Sequence, residues 1–163
     1  MIDFGNPRVL AALHLVGTRY VWGAGRPSDA SRDDVGSLAT GVSTKESGDA
    51  CGWDCMGSCQ AYAVVVGDLD PRQPDRSAHG AAMEALDPVP SLAAARPGDV
   101  VLYDRDHDKR IEHAAIYIGD GMVVTMSGGG SGTHGGDPNA CGQVRPIGEF
   151  VTIARWKASV RPR

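Results

Sequence analysis

The sequence is poor in aromatic residues and in long apolar runs. Phe, Trp and Tyr make up only 6% of the 163 residues, so the core must come mainly from Val, Ala, Leu and Ile. No stretch approaches the roughly 20 apolar residues that a bilayer-spanning helix needs. Residues 1–17 have no basic segment before their apolar stretch, unlike a secretory signal peptide. We therefore expect synthesis in the cytoplasm, without a signal peptide or membrane partner; an outside substrate would require separate delivery.

The chain also lacks an excess of positive charge. Sixteen Lys and Arg against 20 Asp and Glu give a net charge of −4, so no basic surface predicts a nucleic-acid partner. Hydrophobic residues at 42% and charged residues at 22% are typical of a globular protein. The length fits one domain, which we place over residues 1–163. These numbers leave the oligomeric state open.

Four cysteines are present, and their number alone would allow two disulfides. Without a secretion signal, however, nothing indicates an oxidising compartment. Cys51, Cys55 and Cys59 have a spacing loosely compatible with metal binding, but a closed zinc site needs four ligands, and only Cys141 and His134 could complete one. We therefore expect neither a metal site nor a cofactor.

Helical signals dominate the first half of the chain. Capping and breaking residues around residues 7–16 predict a first helix, and residues 54–66 predict a second helix with Cys55 in its first turn. Residues 77–86 predict a further short helix. Between the first two helices, residues 25–50 have little apolar periodicity, which predicts a long inserted loop, and long loops are often functional.

The second half is typical of strands. Asp120 and Gly121 form a favourable two-residue hairpin turn between two apolar runs. Residues 127–143 are rich in glycine and predict a loop. Helices followed by an antiparallel sheet predict an α+β domain. The predicted strands cover residues 99–104, 113–119, 122–126 and 150–156.

Cys55 and His113 are the candidates for nucleophilic chemistry. A helix N-terminus presents unpaired N–H groups and partial positive charge, which stabilise the thiolate that attacks a carbonyl. A lone cysteine is more often a small buried residue, so this position alone does not decide its role. His113 opens a predicted strand after a charged turn, where an imidazole can reach a helix end and act as a base. His107, within that turn, fits a surface histidine better.

Four motifs together resemble the NlpC-type cell-wall peptidases of the papain-like superfamily. The family pattern runs from Gly-x-x-Tyr-x-Trp-Gly-Gly through aromatic-Asp-Cys-Ser-Gly and Pro-Gly-Asp-Leu to His-Val-Gly-Ile-Tyr-Ile-Gly-x-Gly. In the same order, this chain has GTRYVWGA at residues 17–24, GWDCMG at 52–57, RPGDVVLY at 96–103 and HAAIYIGDG at 113–121. The resemblance implies a papain-like NlpC-type fold, in which N-terminal helices pack on an antiparallel sheet and the nucleophile begins a helix.

The resemblance also implies roles for individual residues. Cys55 would be the nucleophile and His113 its base. Tyr20 matches a tyrosine near the oxyanion site, whereas Trp22 is better explained as a core aromatic. Asp54 could contact substrate, although capping the helix is the better-supported role because carboxylates favour helix N-termini.

The chain departs from the family pattern at three places. Met56 replaces the usual serine beside the nucleophile, which would alter substrate contacts there. The segment between the first two motifs is longer than usual, and we expect residues 25–50 to form a cover or side wall of the cleft. The family's His, Asn or Gln that orients the base corresponds to Thr125, whose hydroxyl can accept the imidazole N–H. The alternatives, all in the glycine-rich loop, are His134, Asp137 and Asn139.

The function implied by the resemblance is peptidoglycan hydrolysis by a cysteine endopeptidase. Its expected target is a stem-peptide amide, the bond between γ-D-glutamyl and the diamino acid. The expected setting is a phage lysin or tail-associated hydrolase. Alternatives are an N-acetylmuramoyl amidase, an injected antibacterial effector, an acyl-transfer enzyme with the same dyad, or a non-catalytic wall-binding or assembly module.

Overall fold

Local sequence signals fix the start of the first helix. A computed structural model describes residues 1–25, 35–76, 79–128 and 130–163. In the first helix, Pro7 occupies the first turn and the Asn6 side chain accepts a hydrogen bond from the Arg8 N–H. This helix ends at Leu13, three residues earlier than predicted, because residues 14–16 continue as tighter turns. The helices are α1 (Pro7–Leu13), α2 (Val35–Thr40), α3 (Cys55–Val65) and α4 (His79–Met83).

Six antiparallel strands form one sheet in the order β1-β6-β2-β3-β4-β5. The hairpin between β3 and β4 turns at Asp120 and Gly121, which both have positive φ, at 54° and 68°. The predicted α+β class with helices packed on an antiparallel sheet is confirmed. The strands are β1 (Leu86–Val89), β2 (Val100–Tyr103), β3 (His113–Gly119), β4 (Met122–Ser127), β5 (Cys141–Pro146) and β6 (Thr152–Trp156).

Both edge strands depart from the sequence prediction. The predicted helix 77–86 is shorter, since α4 ends at Met83, and β1 begins at Leu86. β1 contains Pro88, which an edge strand tolerates because one of its sides makes no ladder hydrogen bonds. β5 lies partly inside the predicted glycine-rich loop and pairs along its whole length with β4.

The predicted inserted loop is only partly a loop. Residues 26–34 lie outside the described residues, but the remainder contains α2 and is anchored in the core. Leu38 is completely buried, and its carbonyl accepts hydrogen bonds from the Thr18 hydroxyl and the Trp53 indole. The part of this segment around Leu38 is therefore structural, contrary to the expectation of a cleft cover alone.

The helices cover one face of the sheet, and α3 lies in the middle of this layer. Every residue from Cys55 to Val64 is buried, and the helix packs mainly against β3. The N-terminus of α3 is therefore held beside the sheet at the start of β3. Within the described ranges, no helix has the length and apolar character needed to span a membrane.

Candidate active site

The N-terminus of α3 fixes the position of Cys55. The Asp54 carboxylate caps the helix by accepting a hydrogen bond of 2.6 Å from the Gly57 N–H. A Cβ at Gly57 would lie 2.2 Å from the Ala24 carbonyl oxygen, so only glycine lets this chain segment cross the start of the helix. The result is a buried thiol, 5% exposed, at the end of a rigid element.

His113 is the first residue of β3, and its ring is held by the neighbouring strand. Its Nε2 lies 2.6 Å from the Thr125 hydroxyl oxygen on β4, and both side chains are buried. The Tyr103 ring packs against the imidazole at a centroid distance of 5.6 Å. With Nε2 engaged by Thr125, Nδ1 is the ring nitrogen left for other chemistry.

Cys55 and His113 line the same pocket, of about 190 Å³. The Ala114 backbone N–H acts to lower the pKa of the thiol, so the start of β3 lies beside the start of α3. Trp22 also lines the pocket but is 47% exposed, so its interpretation as a core aromatic is wrong. The complete lining is Tyr20, Trp22, Cys55, Arg105, Glu112, His113, Met126 and Gly128.

Tyr20 and Met56, the other two predicted contacts of the site, lie in different places. Tyr20 is buried in the pocket wall, on a segment that pairs with Trp53 directly before the capped helix. Burial, followed by the Cys55 and Asp54 charges, raises the pKa of its hydroxyl, which keeps it a hydrogen-bond donor. Met56 is completely buried in the hydrophobic core, so the expected contact of its side chain with substrate has no place in this geometry.

The electrostatics keep both groups of the predicted dyad neutral in this arrangement. Burial, followed by the Asp54 charge, raises the pKa of the Cys55 thiol to about 11. Burial, followed by the positive charge of Arg105, lowers the pKa of His113 to about 3. Forming a thiolate therefore requires a partner that stabilises the accompanying positive charge.

The hydrogen-bond partner of the thiol is a residue that the sequence analysis did not identify. His79, the first residue of α4, places its Nε2 3.4 Å from Cys55 Sγ. Among the described residues, the thiol makes no corresponding hydrogen bond to the His113 ring. His79 belongs to no recognisable motif and stands beside a small apolar segment, so no sequence signal could have identified it.

The glycine-rich loop does not supply the partner of His113. Asp137 uses its carboxylate within its own turn, where it accepts the Asn139 N–H at 2.8 Å. His134 pairs with Val21 through a β-bridge. Of the four candidates for orienting the base, Thr125 is the one that contacts the ring.

The described residues hold one group of side chains spaced for a metal ion. Oxygens of Asp104, Asp106 and Asp108 lie within 4.8 Å of one another, in an exposed loop before β3. The four cysteines are all free thiols, with Cys55 and Cys59 buried.

Comparison with known proteins agrees with this architecture. The model of the NlpC/P60 family matches residues 17–138, well over half of the chain. A probable endopeptidase of Mycobacterium tuberculosis is 31% identical over 119 residues, which are 73% of this chain but 22% of that protein. This chain thus spans about a fifth of the length of that relative.

Solved structures share the fold. The P60 domain of a Mycobacterium avium subspecies paratuberculosis antigen superposes with a TM-score of 0.54 at 21% identity, covering 94% of this chain and 97% of that one. The peptidoglycan hydrolase RipB of M. tuberculosis gives a TM-score of 0.54 at 20% identity, over 94% of this chain and 67% of that one. Given the match over residues 17–138, this chain belongs to the NlpC/P60 family.

Proposed function

We propose that this chain is a peptidoglycan hydrolase that uses Cys55 to cleave amide bonds of the stem peptides. The observation that carries the proposal is the thiol at a buried, capped helix N-terminus, sharing one pocket with the imidazole of His113. The family match, a relative named as a probable endopeptidase and a fold neighbour named as a peptidoglycan hydrolase support it.

In this proposal, the reaction proceeds through a thioester. The thiol proton passes to an imidazole, and the thiolate attacks the carbonyl carbon while the carbonyl π electrons move to its oxygen. The backbone N–H of Cys55 and the Tyr20 hydroxyl are the proposed donors to this oxyanion. The C–N bond then breaks, and the amine nitrogen takes the proton from the imidazole.

Hydrolysis of the thioester restores the thiol. His113, oriented by Thr125, acts as general base for the attacking water, whose oxygen bonds to the carbonyl carbon. The C–S bond breaks, and the proton returns to sulfur. The pocket then releases a carboxylic acid.

Release of soluble muropeptides from purified cell walls tests the assignment. Cys55→Ser should abolish release, because a serine hydroxyl is far harder to ionise than a thiol, and His113→Ala should reduce it nearly as much. Cys59→Ala and Cys141→Ala are matched controls that should keep turnover. Substantial release by folded Cys55→Ser would contradict the proposal.

The nature of the products distinguishes the alternatives. Cleavage between γ-D-glutamyl and the diamino acid leaves a new amine on the diamino acid, whereas an N-acetylmuramoyl amidase frees the amine of the first stem residue. Mass spectrometry of the muropeptides separates these two outcomes. Binding of walls without any release would indicate the wall-binding module instead. The phage lysin or tail-associated setting stays a prediction, with an antibacterial effector as the alternative.

A further inference from the structure

Cys55 stands between two histidines, and the one in contact with its sulfur is His79. The two histidines belong to different elements, His79 to α4 and His113 to β3, and His113 lines the pocket of Cys55 whereas His79 contacts its sulfur. His113 has its Nε2 occupied by Thr125, whereas the Nε2 of His79 faces the thiol at 3.4 Å. The arrangement gives the thiol proton an acceptor other than His113.

Hydrogen bonds between α3, residues 75–76 and α4 hold His79 in position. Gln60, completely buried on α3, accepts a hydrogen bond of 2.7 Å from the Arg76 N–H and donates one of 3.1 Å to Asp75. The Arg76 guanidinium in turn donates to the Ala81 carbonyl in α4 at 3.2 Å. The helix that bears His79 is thus tied to the helix that bears Cys55.

The charges around the two rings differ in sign. Burial lowers the pKa of His79, and the charge of Glu112, which lines the pocket of Cys55, opposes part of this decrease. Burial, followed by the positive charges of Arg105, His79 and Arg145, lowers the pKa of His113 to about 3. A positive charge is therefore better accommodated on His79 than on His113, because the Glu112 charge acts to raise the pKa of His79, whereas the charges that shift the pKa of His113 all lower it.

We propose that His79 is a further catalytic residue, the acceptor of the Cys55 thiol proton in the free enzyme. One proton moves from Sγ to Nε2, leaving a thiolate beside an imidazolium, and no other bond changes. After the thiolate has attacked, this imidazolium returns the proton to the leaving amine nitrogen as the C–N bond breaks. His113 stays neutral during this half of the reaction and is free to serve as base for the water.

This inference rests on the proposed function for its place in catalysis, but its test needs no cell-wall substrate. Iodoacetamide alkylates thiolates, so the rate of modification of the Cys55 peptide, followed by mass spectrometry from pH 5 to 10, reports thiol ionisation in the free enzyme. The variants are His79→Gln and His113→Gln. Gln keeps a polar side chain in place but cannot carry the positive charge.

We expect His79→Gln to slow alkylation at pH 7 about tenfold, which corresponds to an increase of about one unit in the apparent thiol pKa. His113→Gln should change the rate less than threefold, a small effect on the same scale. His14→Gln, at an exposed position after α1, is the matched control and should behave as the unaltered protein. Far-UV circular dichroism of each variant, with His79→Asn as a second substitution at that site, establishes that the fold is kept.

An unchanged or faster rate in both His79 variants would overturn the proposal; a faster rate would mean that the ring only covers the thiol. An equal decrease of the alkylation rate in His113→Gln would also overturn it, because thiol ionisation would then depend on both rings and not specifically on His79. If the alkylation rate depends on His79 but purified walls are not hydrolysed, the proposed function is wrong and the role of His79 as proton acceptor is supported. If walls are hydrolysed but the alkylation rate does not depend on His79, the proposed function is supported and the role of His79 is wrong.

Discussion

At the scale of single residues, the hydroxyl of Thr125 sets which nitrogen of His113 can act as a base. When the Nε2–H donates to this hydroxyl, Nδ1 keeps its lone pair. Threonine provides this hydrogen bond without the charge that a carboxylate would supply. The ring is therefore oriented but not made more basic, in agreement with the lowered pKa of His113.

Thr125→Val removes this hydroxyl while keeping the shape of the side chain. Leaving one buried partner unsatisfied costs about 1–3 kcal/mol, so we expect kcat for muropeptide release to fall roughly fivefold to hundredfold. Thr125→Ser should retain most of the activity, since it keeps the hydroxyl. Thr152→Val, on β6 away from the pocket, is the matched control. Equal kcat values for the Val and Ser variants would show that the hydrogen bond is dispensable.

The buried Asp54 carboxylate that caps α3 destabilises the folded state by an amount that depends on pH. Burial raises its pKa from 3.8 to about 6, and the difference corresponds to about 3 kcal/mol. At pH 7 the charge is present in both folded and unfolded states, so the folded state bears this cost. As the pH falls from about 6 towards 3.8, the folded state takes up a proton before the unfolded state does, and this contribution increasingly favours folding.

Asp54→Asn should therefore be more stable than the unaltered protein at pH 7, by up to about 3 kcal/mol, because Asn can cap the helix without a buried charge. The advantage should shrink as the pH falls and be gone below about 3.8. Urea unfolding at pH 7, 5.5 and 4 measures the difference. Asp137→Asn, in an exposed turn, should show no such trend. Lower stability of Asp54→Asn at pH 7 would contradict this account.

At the scale of secondary-structure elements, apolar periodicity predicted some parts of the fold and missed others. α3 and the β3–β4 hairpin carry their own capping and turn residues, so local sequence was sufficient to place them. β1 and β5 do not, because a proline and a glycine-rich stretch conceal strands that depend on pairing with a neighbour. Contacts between distant segments, which short-range patterns do not contain, decide such strands.

α2 was also missed, and its importance can be tested at one side chain. Leu38 is completely buried in the main core, so Leu38→Ala should lower the free energy of unfolding by about 2–5 kcal/mol. Leu10→Ala is the matched control, since Leu10 on α1 is 48% exposed and should cost far less. Urea unfolding followed by circular dichroism gives both values. A small effect at Leu38 would instead favour the interpretation of this segment as a cover or side wall of the cleft that adds little stability.

At the scale of the whole molecule, the family resemblance carried by the four motifs in their order was sufficient to predict the fold. The pocket that unites Tyr20, Cys55 and His113 follows from that order. The contact between His79 and the thiol does not, since it depends on how α4 packs against α3. Residues outside the motifs can thus be placed at a site only by tertiary structure.

Two arginine–aspartate pairs hold distant parts of the molecule together around the Pro-Gly-Asp motif. Arg8 on α1 binds Asp68, beyond the end of α3, and Arg155 on β6 binds Asp99 through two hydrogen bonds of 2.7 Å. Gly98 lies between the pairs with φ of +100°, and a Cβ there would come within 2.8 Å of the Arg8 guanidinium. The motif is therefore structural, since Asp99 holds the start of β2 to β6 and Gly98 leaves room for the Arg8 guanidinium of α1.

Asp99→Asn tests this role, because the substitution removes the charge but changes the size of the side chain little. Asp99 is 2% exposed and also accepts the Arg96 N–H, so the variant leaves the partly buried Arg155 guanidinium without its counter-ion. Removing one partner of a buried pair costs about 3–5 kcal/mol, and the partial exposure of Arg155 reduces our expectation to about 2 kcal/mol or more.

Asp108→Asn, in an exposed pair with Arg110, should cost about 1 kcal/mol or less. Urea unfolding at pH 7 in low salt and in 1 M NaCl separates the two cases, because salt screens the exposed pair and leaves the buried one largely intact. Equal, small losses at both positions would mean that the Asp99 pair does not hold β6 to β2.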